Sequence, residues 1–176
     1  MDKGIEIFNS MVEKYPRNAN LYKRRSFQYY FIGEFEKALV DINKAIDMRQ
    51  EAEFFFTRAL IFEGLREYEK AILDYNEAVN QAPDWFQARI NRAVCFQTQN
   101  NIVNALNDIN EALRIKPEAI EAYNLRGDLL VMQEEYEKAI NDYEYIINHH
   151  NNDKEDKKII KGCKNKIKEI RKMLKK

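Results

Sequence analysis

The chain has 176 residues and no net formal charge, and apolar residues make up 45% of it. This apolar content excludes a chain that is disordered by composition, and five glycines and three prolines are too few turn residues for a many-stranded β fold. The N-terminus has no long apolar segment, and no run of about 18 apolar residues occurs. We therefore expect neither a signal peptide nor a membrane span, and we predict a cytoplasmic protein.

The first predicted helix lies in residues 4–16. Its apolar residues Ile7, Phe8, Met11 and Val12 recur at the three- and four-residue spacing of one helix face. The same pattern returns in the second helix of each hairpin that follows. We interpret this segment as half of a repeat, which allows the sequence to be part of a longer protein.

Four similar segments follow, over residues 19–50, 52–83, 86–117 and 120–151. They align on four alanines that are 33, 34 and 34 residues apart: Ala38, Ala71, Ala105 and Ala139. Helical spacing on both sides of a turn predicts two helices in each segment, A and then B. The predicted turns lie near Gly33, Leu65, Asn100 and Glu134.

Small and large residues occupy fixed places in each segment. The small ones stand at the central alanine and 12 residues before it, at Ser26, Ala59, Ala93 and Gly127. Large apolar residues stand three before the alanine and four after it. Two helices can cross closely where side chains are small, and larger side chains fill the space around the crossing.

The last predicted helix lies in residues 153–176, after a polar link that contains His149 and His150. It carries one apolar stripe, formed by Ile159, Ile160, Cys163, Ile167, Ile170 and Leu174. The segment also has 11 basic and 4 acidic residues. An amphipathic helix of this kind is expected to cover the exposed end of a repeat array, so we predict a capping helix.

This pattern resembles the tetratricopeptide repeat (TPR) family. The resemblance rests on a period near 34, the small residues at fixed places, an aromatic residue before the central alanine, and the closing prolines Pro16, Pro83 and Pro117. It implies an all-α, right-handed superhelical solenoid of helix hairpins, with about ten helices in one domain over residues 1–176. One departure is Arg89, which replaces a bulky aromatic residue; Trp85 or Phe86 would supply the missing bulk.

A second periodic feature is a charged pair in every segment. An arginine stands 13 residues before each central alanine, and an aspartate three residues after it. The pairs are Arg25 with Asp41, Arg58 with Asp74, Arg92 with Asp108, and Arg126 with Asp142. We predict a ladder of ion pairs between A and B helices, with two independently solvated faces as the alternative.

Catalytic and metal-binding patterns are missing from the sequence. The two histidines are adjacent in a link, and Cys95 and Cys163 have no metal-ligand spacing. Cys95 is predicted to be a small core residue. No glycine-rich phosphate loop or nucleophile elbow occurs. We predict no catalytic residue, no bound metal and no cofactor, and therefore not an enzyme.

The resemblance implies a binding site instead, because TPR arrays hold a peptide or a partner helix in the groove lined by their A helices. The family's groove positions fall on a definite set of residues here. They are Asn20, Lys23, Arg24, Phe27, Phe31, Phe56, Thr57, Leu60, Gln87, Ile90, Asn91, Val94, Glu121, Asn124 and Asp128, with Tyr30, Glu53, Glu63, Gln97, Leu125 and Val131 alongside. Apolar members that pack between helices are the alternative at each position.

The residues at these positions decide between two binding modes. Some TPR proteins grip a C-terminal carboxylate with a clamp of lysine, asparagine and arginine, but of the residues at the matching places from the first repeat only Lys23 agrees. The groove is instead predicted to be basic at Lys23 and Arg24, apolar in its middle, and acidic at Glu121 and Asp128. We expect a protein or peptide ligand with apolar anchors, acidic toward the first repeat and basic toward the fourth.

Three other functions stay open at this point. The chain could be a structural repeat that associates with itself, giving a homo-oligomer, or an accessory domain of a larger enzyme or complex. The lysine-rich last helix could bind nucleic acid, which we do not favour because basic runs are usually solvated faces. The leading prediction is a protein–protein interaction module, an adaptor or scaffold.

Overall fold

A computed structural model describes residues 3–149 and 154–175 of the chain. These residues form ten α-helices and contain no β-strand, so the all-α prediction is confirmed. Within these ranges, none of the helices combines the length and apolar character that crossing a membrane requires. His150, and parts of the fourth repeat and the capping segment predicted at 151–153 and 176, lie outside the described residues.

The residues form two compact units, Met1–Gln99 and Asn100–Lys176. The first unit contains six helices: α1 (Lys3–Lys14), α2 (Ala19–Phe31), α3 (Phe35–Met48), α4 (Ala52–Gly64), α5 (Tyr68–Gln81) and α6 (Phe86–Thr98). The second contains four: α7 (Ile102–Ile115), α8 (Ile120–Met132), α9 (Tyr136–His149) and α10 (Lys154–Met173). The prediction of a single domain remains a prediction.

Within each unit, every helix packs against the next one in the chain, and α2 also contacts α4. The aligned alanines explain this packing, because Ala38, Ala71, Ala105 and Ala139 are all completely buried. Their small side chains let neighbouring helices approach closely, while large residues such as Tyr75 and Tyr143 fill the interior around them.

The turn from each A helix to its B helix contains one residue in the left-handed region. These residues are Gly33 (φ 77°), Arg66 (φ 60°), Asn100 (φ 57°) and Glu134 (φ 61°). All four stand five residues before the central alanine, so the second turn is centred one residue after the predicted Leu65. Glycine adopts this conformation without strain, whereas arginine and glutamate do so at some cost.

Three of the four predicted ion pairs form within single units. Both carboxylate oxygens of Asp41 accept hydrogen bonds of 2.7 Å from Arg25, and Asp74 and Asp142 accept equivalent pairs from Arg58 and Arg126. Each bond raises the pKa of its arginine. Arg92 and Asp108 belong to different units, so that pair stays a prediction.

An asparagine links each of the four periodic arginines to the preceding repeat, which the sequence pattern alone did not predict. The third guanidinium donor bonds the amide oxygen of an asparagine on the preceding B-type helix, at 2.8 to 3.1 Å. The partners are Arg25 with Asn9, Arg58 with Asn43, Arg92 with Asn76, and Arg126 with Asn110. Each arginine therefore joins two consecutive repeats. In the fourth repeat Glu144 takes the asparagine's place and accepts a bond from Arg171 of α10.

The departure at Arg89 also has a physical explanation. In the first repeat Tyr22 occupies the corresponding place, and its hydroxyl donates to the carbonyl of Pro16 at 3.2 Å. Arg89 donates from Nε to the carbonyl of Pro83 at 2.9 Å, six residues back as before. The buried ring of Phe86 supplies bulk in the core.

The last helix packs as predicted on the helix before it. The buried residues Ile160, Cys163, Ile167 and Ile170 of α10 share one apolar cluster with the buried residues of α9. Most lysines of α10 lie on its exposed side. The apolar stripe therefore covers α9 and leaves most of the lysines in solvent.

Candidate functional site

A cavity of about 190 Å³ opens between α2, α4 and the residue that precedes α6. Five of the predicted groove residues line it, together with Trp85. We call it the aromatic pocket, and its lining consists of Lys23, Phe27, Glu53, Phe56, Thr57 and Trp85. Three aromatic rings give it mainly apolar walls, so it suits one apolar side chain of a ligand.

Phe56 and Trp85 form the core of the pocket wall. Their rings stack with centroids 4.5 Å apart, and the ring of Phe56 also meets Tyr75 edge-on at 5.6 Å. Such contacts hold the rings in place before a ligand arrives. The repeat pattern suggested Trp85 only as a source of bulk; its being the single tryptophan of the chain was the one signal that could have marked it.

One ion pair borders the pocket. Nζ of Lys23 lies 2.5 Å from Oε2 of Glu53, whose side chain is 64% exposed. Exposed pairs contribute only about 0–1 kcal/mol, so this one does little for stability. It does mean that Lys23, predicted to attract an acidic ligand, already has a partner within the chain.

An exposed aromatic patch continues from the pocket along α2. It consists of Phe27, Tyr30 and Phe31, with the rings of Phe27 and Phe31 meeting edge-on at 4.6 Å. Phe31 is 66% exposed and Phe27 is 37% exposed. Aromatic side chains are enriched where proteins bind partners, and the rings of Phe27 and Phe31 leave apolar surface in water beside the half-buried Tyr30.

A half-buried carboxylate lies on the same unit. Oε1 of Glu63 accepts a hydrogen bond of 2.6 Å from the Tyr75 hydroxyl and one of 3.4 Å from the Cys95 thiol. We call these three residues the carboxylate site. Burial raises the pKa of Glu63, and burial beside this carboxyl also raises the pKa of Tyr75 and of Cys95.

Two amides extend this network toward α6. Nδ2 of Asn91 donates to the Tyr75 hydroxyl at 3.2 Å, and Nε2 of Gln87 donates to Oδ1 of Asn91 at 2.8 Å. Two predicted groove residues are thus tied to the carboxylate site. Cys95 is buried, as expected for a small core residue.

The remaining predicted residues of the first unit divide by exposure. Asn20, Arg24 and Val94 are exposed, Leu60 is half-buried, and Thr57 and Ile90 are buried. The Thr57 hydroxyl donates to the backbone carbonyl of Glu53. Ile90 packs inside, as the alternative interpretation held, so its truncation would disturb the core and could not test ligand binding cleanly.

In the second unit, the predicted residues Asn124 and Asp128 are bound by the chain itself. Nζ of Lys166, on α10, lies 3.0 Å from Oδ1 of Asn124 and 2.5 Å from Oδ1 of Asp128. Asp128 also accepts a bond of 2.6 Å from Tyr143. The predicted acidic end of the groove therefore already holds a lysine, whereas Glu121 is exposed.

Comparison with known families settles what kind of chain this is. A family model described as tetratricopeptide repeat matches residues 56–120 and 93–148, which together are a little more than half of the sequence. The chain belongs to the tetratricopeptide repeat family. The family prediction is therefore confirmed, and the alanine-centred pattern is the TPR pattern.

Solved TPR structures are similar in fold. The crystal structure of MamA is 17% identical with a TM-score of 0.76, over 82% of this chain and 92% of that one. YrrB, described as a TPR protein with an unusual peptide-binding site, is 17% identical with a TM-score of 0.71, over 82% and 75%. The first TPR of Spaghetti, bound to an HSP90 peptide, is 20% identical with a TM-score of 0.64, over 66% and 93%. No curated protein matches the sequence. At these identities the likeness establishes the TPR fold.

Proposed function

We propose that this TPR protein is an interaction module that holds an extended segment of a partner protein on its first unit. An apolar side chain of the partner enters the aromatic pocket, and neighbouring residues of the partner cover the aromatic patch. The observation that carries the proposal is the open pocket walled by Phe27, Phe56 and Trp85. A preformed apolar cavity with a few polar groups at its edge is the usual form of a binding site.

The TPR relatives support a peptide as the ligand. The first TPR of Spaghetti was solved with an HSP90 peptide bound, and YrrB is described by its peptide-binding site. We do not propose the carboxylate clamp of some family members. Each alignment of the clamp on the repeats matches at a single place, Lys23 from the first repeat or Asn91 from the second, and Lys23 contacts Glu53. A binding role in the cytoplasm, without catalysis, is part of the proposal.

The ligand's charge is the finer part of the proposal. The predicted gradient, from basic residues in the first repeat to acidic ones in the fourth, loses two members to partners within the chain, Lys23 and Asp128. Arg24 and Glu121 remain exposed. We propose that the apolar anchor supplies most of the affinity, since exposed charges contribute little to binding.

Peptide selection tests this function and requires no identified partner. A displayed library of random peptides is selected on the whole chain, and the affinity of an enriched peptide is measured by fluorescence anisotropy. Phe27→Ala should weaken binding about 10-fold or more, because it removes one pocket wall. Leu73→Ala is the matched control, since Leu73 is a 64% exposed apolar residue on α5 that does not line the pocket.

Two results would contradict the proposal. One is that selection yields no peptide with an apolar anchor. The other is that Phe27→Ala and Leu73→Ala bind a selected peptide as tightly as the native chain does. Circular dichroism of both variants checks that the helices are intact, so that lost binding is not lost folding.

Self-association is a second candidate function, favoured by one observation. The first helix exposes apolar residues, with Ile7 60% and Met11 39% exposed. A second copy of the chain could cover them. Light scattering over a range of concentrations tests this: the interaction module should be a monomer, whereas self-association gives a dimer that Ile7→Lys breaks.

A further inference from the structure

The two units contain the same pairing of a tyrosine with a carboxylate. Tyr75 and Tyr143 both stand four residues after a central alanine, and each donates its hydroxyl to a carboxylate of the preceding A helix at 2.6 Å. The acceptors are Glu63 in the first unit and Asp128 in the second. Both tyrosines are completely buried at the ring, so each hydroxyl holds its carboxylate in a fixed position.

In the second unit a cation completes this arrangement. Lys166 comes from α10, the helix that follows the tyrosine's helix, and its Nζ contacts Asp128 at 2.5 Å. The same ammonium group lies over the Tyr143 ring, 5.1 Å from its centroid. The carboxylate and the face of the tyrosine together bind a lysine, as opposite charge and a cation–π contact favour.

In the first unit the following helix supplies neutral groups only. From α6, Cys95 donates to Glu63, and Asn91 donates to the Tyr75 hydroxyl. Among the residues that the structure describes, no lysine or arginine lies within ion-pair distance of Glu63. Among the described residues of this unit, Glu63 is thus a partly desolvated carboxylate that receives bonds from neutral donors and from no cation.

The aromatic pocket adjoins this carboxylate through shared rings. Phe56 forms the pocket wall and contacts Tyr75, which donates to Glu63. Tyr30 of the aromatic patch stacks on Phe27, and its pKa is raised by burial and by the charge of Glu63. Tyr75 is therefore a common neighbour of the pocket wall and of Glu63.

We propose that Glu63 binds a lysine or arginine of the peptide held on the first unit, in the way that Asp128 binds Lys166. This rests on the proposed function and makes it more specific. The partner segment carries an apolar anchor for the pocket and, a few residues away, a basic side chain. The peptide thus supplies the cation that α10 supplies in the second unit.

The same library selection, followed by a double-mutant cycle, tests the inference. Peptides selected on the native chain should be enriched in lysine or arginine at a fixed distance from the apolar anchor. In the cycle, the peptide lysine is replaced by norleucine and the protein carries Glu63→Gln, which keeps an oxygen for the Tyr75 hydroxyl. We expect each single change to weaken binding about 10-fold or more, and the second change to add little after the first. Glu69→Gln on α5 is the control for the change in net charge.

The outcomes separate the two proposals. Anchored peptides without a preferred basic residue, or equal losses from norleucine on the native chain and on Glu63→Gln, would overturn the inference and leave the pocket's function standing. Selection of no anchored peptide would overturn both. A loss on Glu69→Gln equal to that on Glu63→Gln would show a general charge effect, and would also overturn the inference.

Discussion

The first and second units are built from the same kind of helix hairpin, each with a buried arginine–aspartate pair, and they differ in the partners of one carboxylate. Asp128 of the second unit is bound by Lys166 of the chain itself, whereas Glu63 of the first unit receives bonds from neutral groups. The difference follows from the next helix, which places a lysine beside Asp128 and a cysteine beside Glu63. The second unit thus supplies a cation for its carboxylate, whereas the described residues of the first unit supply none. The carboxylate without a cation belongs to the unit that contains the aromatic pocket.

Both units contain an arginine–aspartate pair. Removing the arginine should lower the free energy of unfolding equally in both, and this is the largest effect that we expect. Arg58→Met and Arg126→Met each leave a buried aspartate without its partner, which costs about 3 kcal/mol. Chemical denaturation measures the free energy of unfolding of each variant. A cost below about 1 kcal/mol in either unit would show that the pair is not structural there.

The tyrosine hydroxyls should differ between the units. Tyr75→Phe removes a donor from Glu63, which has no cation partner among the described residues, so we expect it to cost about 2 kcal/mol. Tyr143→Phe should cost about 1 kcal/mol, because Asp128 keeps its bond from Lys166. Denaturation of the two variants side by side checks the order, and the reverse order would contradict our comparison.

Neutralising the carboxylates should have effects of opposite sign. Asp128→Asn weakens the bond to Lys166 and should cost about 1 kcal/mol, since both side chains are about one-third exposed. Glu63→Gln should stabilise the chain at neutral pH, because it removes a charge that burial disfavours.

The pH dependence sharpens this prediction. The pKa of Glu63 is raised in the folded state, so the protonated group is favoured on folding, and stability is lost as the pH rises from the unfolded pKa of about 4.3 through the folded one. The gain from Glu63→Gln should therefore be larger at pH 7 than at pH 4. If the stability gained by Glu63→Gln became smaller as the pH rises, the negative charge of Glu63 would have to be balanced by a cation in the folded chain.

Turn residues should give the smallest effects, again alike in both units. Arg66→Gly and Glu134→Gly relieve a left-handed conformation and should each stabilise the chain by about 0.5–1 kcal/mol. Gly33→Ala at the corresponding turn should destabilise it, although nothing lies near the added methyl group. Thermal unfolding measures the stability of all three variants. A loss of stability in Arg66→Gly or Glu134→Gly would show that the native side chain is not strained there.

Much of the fold could be predicted because the period of 33 or 34 residues repeats a few local rules. The spacing of Ala38 and its counterparts indicated the helices. The recurring arginine and aspartate indicated four ion pairs, of which the structure confirms three. The asparagines at the same period were not predicted, although Asn43, Asn76 and Asn110 recur at the spacing of the aspartates. In the sequence they resemble any polar surface residue, and only the structure shows the guanidinium that reaches them.

The candidate site could be predicted only in part. Family positions led to Lys23, Phe27, Phe56 and Thr57, which the structure brings together around one pocket. They could not show that Ile90 packs inside, that Trp85 closes the pocket, or that Lys166 binds Asp128. These facts depend on side-chain contacts between residues far apart in the sequence, which repeat spacing does not specify.

The central claim is that a partner's side chain enters the aromatic pocket, and Trp85 offers a direct measurement of it. Trp85 is the single tryptophan of the chain and part of the pocket wall, so its fluorescence reports on that site alone. Titration with a selected peptide that lacks tryptophan should change the emission of Trp85 saturably, with the same Kd as anisotropy gives. Binding by anisotropy while the emission of Trp85 stays constant would place the peptide elsewhere and contradict our account.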